Sequence, residues 1–296
     1  MPTVPGSLAT PAAGSSYVLT VSCPDQPGLV HAVTGVLLAA SGNIRQSQQF
    51  EDERSELFFM RIQFDVSDAG VDRAALVAAM TPVAESRSMT WQLYDAREPT
   101  RTLLLTSKFG HCVNDLLYRR SIGALNIEVP AIVSNHLDAA PLAATYGIAY
   151  HHVPVTPETK PAAEQQLREL VEELDISLVV LARYMQVLSD EMCSWLQGRA
   201  INIHHSFLPS FKGARPYQQA HERGVKLVGA TAHFVTPELD EGPIIEQDVT
   251  RIDHSFTPED AVAAGRDVEA AVLSRAVKWH SEHRVILNGH KTVVFK

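Results

Sequence analysis

Asn202-Ile203-His204 sets an amide and an imidazole two residues apart, and residues i and i+2 of an extended segment point to the same face. Both side chains can donate hydrogen bonds to one oxygen. Asp240 follows in Leu239-Asp240-Glu241-Gly242-Pro243, where turn chemistry can hold a carboxylate on a loop end facing them. Amide donor, imidazole and carboxylate suffice to attack a carbonyl without a metal or a covalent nucleophile. Taken singly, Asn202 and His204 also read as a polar strand end with a core histidine, and Asp240 as a turn residue. Their setting favours chemistry. Ser206, Leu208-Pro209 and Gly213 form a strand-to-loop exit, where open α/β sheets bind ligands. Gly229-Ala-Thr231-Ala-His233 precedes Asp240, and His233 either steadies that carboxylate or simply packs.

Two kinds of element must position these residues. From residue 16 to 95 the pattern is βαββαβ. Tyr17–Cys23 alternates as a strand, and Leu29–Ala40 carries Val30, Val33, Leu37 and Leu38 at helical spacing until Gly42-Asn43 stops it. Strands at Ile44–Phe50 and Leu57–Val66 flank a charged turn. A helix follows over Asp72–Ala84 with Pro82 as a late breaker, then a strand over Met89–Tyr94. This order predicts a small ferredoxin-like sheet with two helices on one face and no catalytic set. Residues 1–15 read as a disordered tail and 96–101 as a linker. From 102 to 296 strands and helices alternate as in a mostly parallel sheet: strands at Thr102–Thr106, Val129–Ser134, Tyr150–Val153 and Leu178–Leu181, helices at Cys112–Ser121, Ala139–Tyr146 and Ala162–Leu174. Then come β-segments at Val228–Val235 and Ile244–Val249, a long helix over Pro258–His280, and a β-rich tail at Thr292–Phe295. The fold class is α/β, in two domains.

Asn202-x-His204-x-Ser206-x-Leu208-Pro209-x-Phe211-x-Gly213, Gly229-x-Thr231-x-His233 and Leu239-Asp240-x-Gly242 together resemble the folate-dependent formyltransferase family over roughly residues 101–290. The resemblance implies a Rossmann-like catalytic domain acting on 10-formyltetrahydrofolate, with Asn202, His204 and Asp240 as catalytic residues. Leu181 to Ser189 is similar to the family's folate-pocket strand and loop. It implies substrate contacts from Met185, Gln186, Val187 and Leu188, and further contacts from Ser206, Leu208, Pro209, Gly213, His233, Glu238 and Leu239. Lys212 and Arg183 either meet the folate's glutamate tail or are solvated surface charges.

Four features point to the hydrolase branch of that family, the formyltetrahydrofolate deformylases. Ser107–Asn114 holds a single glycine, too few for a phosphate cradle of backbone amides. His205 stands where the transferases have proline. The first 96 residues resemble an ACT regulatory domain, including its Cys23-Pro-Asp25-Gln-Pro-Gly28 turn. The tail His290–Phe295 is atypical of transferases. Leu137, where proline is usual after Asn135-His136, is a minor departure. This branch implies hydrolysis to formate and tetrahydrofolate, supplying formate for purine synthesis and balancing the one-carbon pool. Water attacks the formyl carbon, and Asn202 and His204 donate to the oxyanion, worth roughly 3–4 kcal/mol each in comparable sites. Asp240 takes the water proton and relays it to N10; alternatively His204 shuttles the proton and Asp240 only orients it. His205 is a candidate to help place the water. An ACT domain implies pairing across a homo-oligomer, dimer or tetramer, and an amino-acid effector near Asp25, Gly28 and Leu29, and Asn43 and Ile44. Two rival readings are a formyltransferase acting on an amine acceptor and a non-catalytic folate or amino-acid sensor.

Composition closes off other classes. With 296 residues and a formal net charge of -9, the chain lacks the basic balance of a nucleic-acid partner. Cys23, Cys112 and Cys193 have no CxxC spacing, which reads as reduced thiols in the cytoplasm. The N-terminal residues lack a leader's basic and apolar regions. No run of about 18 apolar residues spans a membrane. His111, His151, His152, His221, His254, His280, His283 and His290 read as surface or structural. No pair of them has metal-ligand spacing backed by carboxylates, so neither metal nor cofactor is expected.

Overall fold

The computed structural model describes residues 15–67, 71–209 and 223–296. The chain divides into two units, the first ending at Glu98 and the second beginning at Pro99. The first unit runs β1 (Ser15–Pro24), α1 (Leu29–Ala39), β2 (Gly42–Asp52), β3 (Leu57–Val66), α2 (Arg73–Glu85) and β4 (Thr90–Asp95). Its sheet is antiparallel in the order β2-β3-β1-β4. Alternate residues of β1 and β3, such as Leu19, Val21, Met60, Ile62 and Phe64, meet both helices in one core. The expected tail lies outside the described residues except for Ser15, which opens β1.

Three local expectations change. The buried stripe of α1 is Leu29, Val33 and Leu37, while Val30 and Leu38 are exposed. The apolar residues at 30 and 38 therefore lie off the stripe that the sheet selects. Pro82 does not break α2, because it sits in the last turn, which closes through Ser86 N–H to Pro82 O at 3.2 Å. The effector positions also separate. Asp25 N–H donates to Glu56 O at 3.0 Å, beside the start of β3, whereas Asn43 and Ile44 pair with Asp65 and Phe64 at its other end. Some eight residues of strand between them, at about 3.3 Å each, make a gap of roughly 26 Å. Leu29 is itself in the core, and one chain does not bring the two segments together.

The second unit begins with β5 (Thr100–Thr106), which takes in Thr100 and Arg101 of the expected linker. Both pair with β6 (Ile127–Glu128), and Arg101 Nη1 reaches Glu128 Oε2 at 2.7 Å. Between them lies α3 (His111–Ser121). There follow β7 (Ala131–Ser134), α4 (Ala140–Thr145), β8 (Ala149–His152), α5 (Lys160–Glu173), β9 (Leu178–Leu181), α6 (Asp190–Trp195) and β10 (Ala200–His204). Then come β11 (Leu227–Phe234), β12 (Ile244–Arg251), α7 (Pro258–Ser281) and a hairpin of β13 (Val285–Asn288) and β14 (Lys291–Val294). The sheet is ordered β12-β11-β10-β9-β5-β7-β8. The five strands from β10 to β8 are parallel, and β11 and β12 add antiparallel neighbours.

Alternation along the parallel strands gives two buried layers. Leu104, Ile132, Val180, Ile201 and Ile203 pack with α3 and α7, and Leu103, Leu105, Val179, Leu181 and Ala200 pack with α5 and α6. Asn202 and His204 therefore point to the α5–α6 side. Thr257 and Asp260 close a reciprocal capping box on α7. Chain order turns back at β5, flanked by β7 and β9, so the carboxyl ends of these strands form the crevice where such sheets bind ligands. Among the described residues no helix is long and apolar enough to cross a membrane.

Candidate active site

Strand register assembles the site. Asn202 lies opposite His233, and His204 opposite Thr231, across the antiparallel pair β10–β11. Directly opposed residues present their side chains on one face, so these four come together. Asn202 Nδ2 is 3.2 Å from His233 Nε2, and His233 Nδ1 is 2.8 Å from Phe234 O. A carbonyl only accepts, so Nδ1 carries the proton and Nε2 accepts from Asn202. One N–H of Asn202 is thereby fixed, and the amide plane with it. Burial pushes the His233 pKa below its ordinary value, against the Phe234 hydrogen bond and the Asp240 charge, and keeps this ring neutral.

Asp240 reaches the group from the loop after β11. Its Oδ2 is 3.2 Å from His204 Nδ1, while its Oδ1 stands 3.8 Å from His233 Nε2, too far for a hydrogen bond. Burial raises the Asp240 carboxyl, but the hydrogen bond from His204, followed by the electrostatic influence of the nearby His204, His233 and His205 imidazoles, outweighs it. The net shift is downward, so the carboxylate is ionised. His204 Nε2 is buried with no hydrogen-bond partner among the described residues. The loop can come so close because of Gly242. A Cβ there would lie 1.8 Å from Phe234 O, and Pro243 O accepts from Phe234 N at 2.9 Å. Asp240 itself takes φ 59, a left-handed turn that aspartate tolerates better than most residues.

Thr231 holds the loop beyond His204. Its fully buried Oγ1 donates to Ser206 O at 3.0 Å and accepts from Leu208 N at 3.1 Å and from Gln247 Nε2 at 2.9 Å. Gln247 also donates to Leu208 O, at 3.1 Å. Sequence reading missed Gln247, although the alternation of β12 places it opposite Thr231.

The expected substrate residues divide by environment. Met185 and Val187 are exposed at 53% and 58%, whereas Leu188 is buried. Gln186, Val187 and Leu188 line a recess against Lys160, Glu164 and Leu167 whose volume is only about 10 Å³, room for one water. Met185 N–H donates to Ser107 Oγ at 3.0 Å, and Ser107 donates to Asn135 Oδ1 at 2.6 Å, tying together the exits of β5, β7 and β9. Ser206 and Leu208 are buried, and Pro209 follows a cis peptide. Glu238 and Leu239 are exposed beside Asp240. Gly213 and Lys212 lie outside the described residues. Arg183 is not a solvated charge: its side chain is 10% exposed, and Nη1 lies 3.4 Å from Glu269 Oε1.

His111 is likewise committed, with Nε2 2.8 Å from Glu269 Oε2. His111, Cys112 and Glu269 offer ligand atoms within 4.8 Å of one another. Burial, then the Glu269 charge, pushes the Cys112 thiol well above its ordinary pKa, so it stays protonated. His205 lies against His204, ring centroids 5.2 Å apart. Burial, then the Arg183 and His204 charges, lowers its pKa from 6.5 to about 4.

Comparison with known proteins identifies the family and the fold. The Formyl transferase family model matches residues 100–277, and the ACT domain model residues 17–78. A formyltetrahydrofolate deformylase of Corynebacterium sp. (strain P-1) is 51% identical over 280 residues, 95% of this chain and 98% of the relative. The crystal structure of formyltetrahydrofolate deformylase from Burkholderia mallei ATCC 23344 superposes with a TM-score of 0.91 at 50% identity, covering 95% of this chain and all of that one (100%). Glycinamide ribonucleotide transformylase 1 from Symbiobacterium toebii matches less, with a TM-score of 0.64 and 29% identity over 69% of this chain and 98% of its own. By domain content and full-length similarity, the chain belongs to the formyl transferase family, in the ACT-bearing branch of the formyltetrahydrofolate deformylases.

Proposed function

We propose that the protein hydrolyses 10-formyltetrahydrofolate to formate and tetrahydrofolate. The observation that carries this is the divided use of the Asp240 carboxylate. Oδ2 holds His204 Nδ1, while Oδ1 is outside hydrogen-bond reach of His233 and is left to a water. Asp240 accepts a proton from that water as its oxygen attacks the formyl carbon. The carbonyl oxygen becomes an oxyanion facing His204 Nε2 and the second N–H of Asn202. With its Nδ1 on Asp240, His204 can donate from Nε2 to the oxyanion only when both ring nitrogens carry protons. The C–N10 bond then breaks, N10 takes a proton relayed through Asp240, and formate leaves with the second water proton lost to solvent. Asp240→Asn keeps the shape but cannot accept the proton. It should lower kcat at least about 10²-fold, and turnover near wild type would remove Asp240 from this role.

The ring of His233 orients Asn202, while Met185, Val187 and Leu239 give the substrate exposed apolar surface at the mouth. No cofactor or metal takes part in this reading. Glu269 already meets Arg183 and His111, and Cys112 remains a thiol, which supports a charge network over a metal site. We place the protein in the cytoplasm, a reading supported by three free, buried cysteines. We also propose a homo-oligomer paired through the ACT domain, with an effector between copies. The distance between Asp25 and Asn43 within one copy supports this, because a second copy set antiparallel would join the two segments.

A further inference from the structure

Three polar groups outside the hydrolytic machinery form a second buried cluster. Glu269 on α7 is 1% exposed, which is rare for a carboxylate. It binds His111 Nε2 at 2.8 Å through Oε2 and Arg183 Nη1 at 3.4 Å through Oε1. Arg183 is thus drawn inside with its charge matched, yet its Nε is buried with no hydrogen-bond partner among the described residues. That atom can only donate, and an unsatisfied buried donor on a cation is costly to leave so.

Its place is set by the sheet. β9 and β10 are parallel neighbours with Leu181 opposite Asn202, so Arg183 leaves β9 alongside His204 leaving β10. His205 connects the two clusters, with its ring 5.2 Å from His204 and its protonation sensitive to Arg183, His204, Glu269 and Asp240. Phe109, exposed at 42%, is flanked by the guanidinium groups of Arg183 at 5.8 Å and Arg266 at 5.0 Å. The α3–α7 side of the crevice therefore carries the guanidinium groups of Arg183 and Arg266 with the Glu269 carboxylate between Arg183 and His111, while its α5–α6 side holds the Asp240 carboxylate.

Hydrolysis creates a second carboxylate beside Asp240, and like charges repel strongly in a buried site. We propose that Arg183 receives this carboxylate: its Nε–H, held in place by Glu269 and His111, is the formate-binding donor of the site. Guanidinium groups recognise carboxylates through directed N–H donors, so this chemistry matches a small anion better than water alone. The inference rests on the hydrolase reading.

The test is titration of sodium formate into the full-length protein, by calorimetry and as a product inhibitor of turnover. Wild type should bind formate. Glu269→Gln, which removes the opposing charge while the glutamine Oε1 still accepts from Arg183 Nη1 and keeps Nε in place, should tighten it by at least about threefold. The double variant Arg183→Gln/Glu269→Gln keeps the net charge and should weaken it by about tenfold or more, with tetrahydrofolate affinity within about twofold of wild type and Tm confirming the fold. Opposite shifts in the two variants do not follow from a merely structural role. Unchanged formate affinity in the double variant, weaker binding in Glu269→Gln, or a turning-over wild type that does not bind formate would overturn the assignment. Formate binding without turnover by wild type would instead overturn the hydrolase reading and leave Arg183 as a carboxylate site.

Discussion

Gly242→Ala tests whether the approach of the Asp240 loop governs catalysis. The added Cβ would meet Phe234 O at 1.8 Å, where an ordinary contact begins at 3.4 Å, so the loop must retreat by roughly 1.6 Å. The obstacle is backbone of β11, paired on both sides, and cannot rotate away. Retreat stretches the Phe234 N–Pro243 O bond from 2.9 Å and carries Asp240, two residues upstream, off its 3.2 Å contact with His204. A misplacement of about 1 Å costs on the order of 10²-fold in rate, and overpacking costs about 1–3 kcal/mol of stability. Steady-state kinetics should show kcat down by about 10²-fold or more with KM changed far less, and urea unfolding should show the modest stability loss. A folded Gly242→Ala protein with kcat within about threefold of wild type would refute the claim that loop placement sets the rate.

Thr231→Val keeps the volume but removes the hydroxyl that binds Ser206 O, Leu208 N and Gln247 Nε2. Two backbone groups lose this partner at about 1–3 kcal/mol each, so urea unfolding should show a loss of about 2–6 kcal/mol; less than about 1 kcal/mol would mean the loop is held otherwise. His280, whose Nδ1 is buried, has its pKa pushed by burial from 6.5 down to about 4. The unfolded chain takes the proton first as pH falls, so the stability of the neutral ring is fully present above pH 6.5. It is lost progressively down to pH 4, by up to about 3 kcal/mol. His280→Leu should flatten that part of the stability–pH curve, and a slope like wild type's between pH 6.5 and 4.5 would assign the acid sensitivity elsewhere.

Much of this was legible because strands alternate. The pairs Asn202/His204 and Thr231/His233 are period-two patterns, and period two is what a sheet enforces. Gly242 could be seen as a turn glycine, but not as the point where a loop touches backbone, since that contact joins residues distant in space until β11 is placed. The short helix α6 was missed, although Ser189 caps it and Asp190 and Glu191 fill its first turn. Glu269 left a readable mark, a carboxylate in the buried stripe Ala261, Gly265, Glu269, Val272, Ala276. Its partners His111 and Arg183 were not readable, because only the packing of α3 and α7 and the exit of β9 bring them to it. The effector segments looked adjacent in motif terms, and strand register separated them.

The most direct measurement is incubation of the purified full-length protein with 10-formyltetrahydrofolate and no acceptor, following formate and tetrahydrofolate together. The account predicts release of both in equal amounts. Release that begins only when an amine acceptor is added, with the formyl group recovered on that amine, would contradict it.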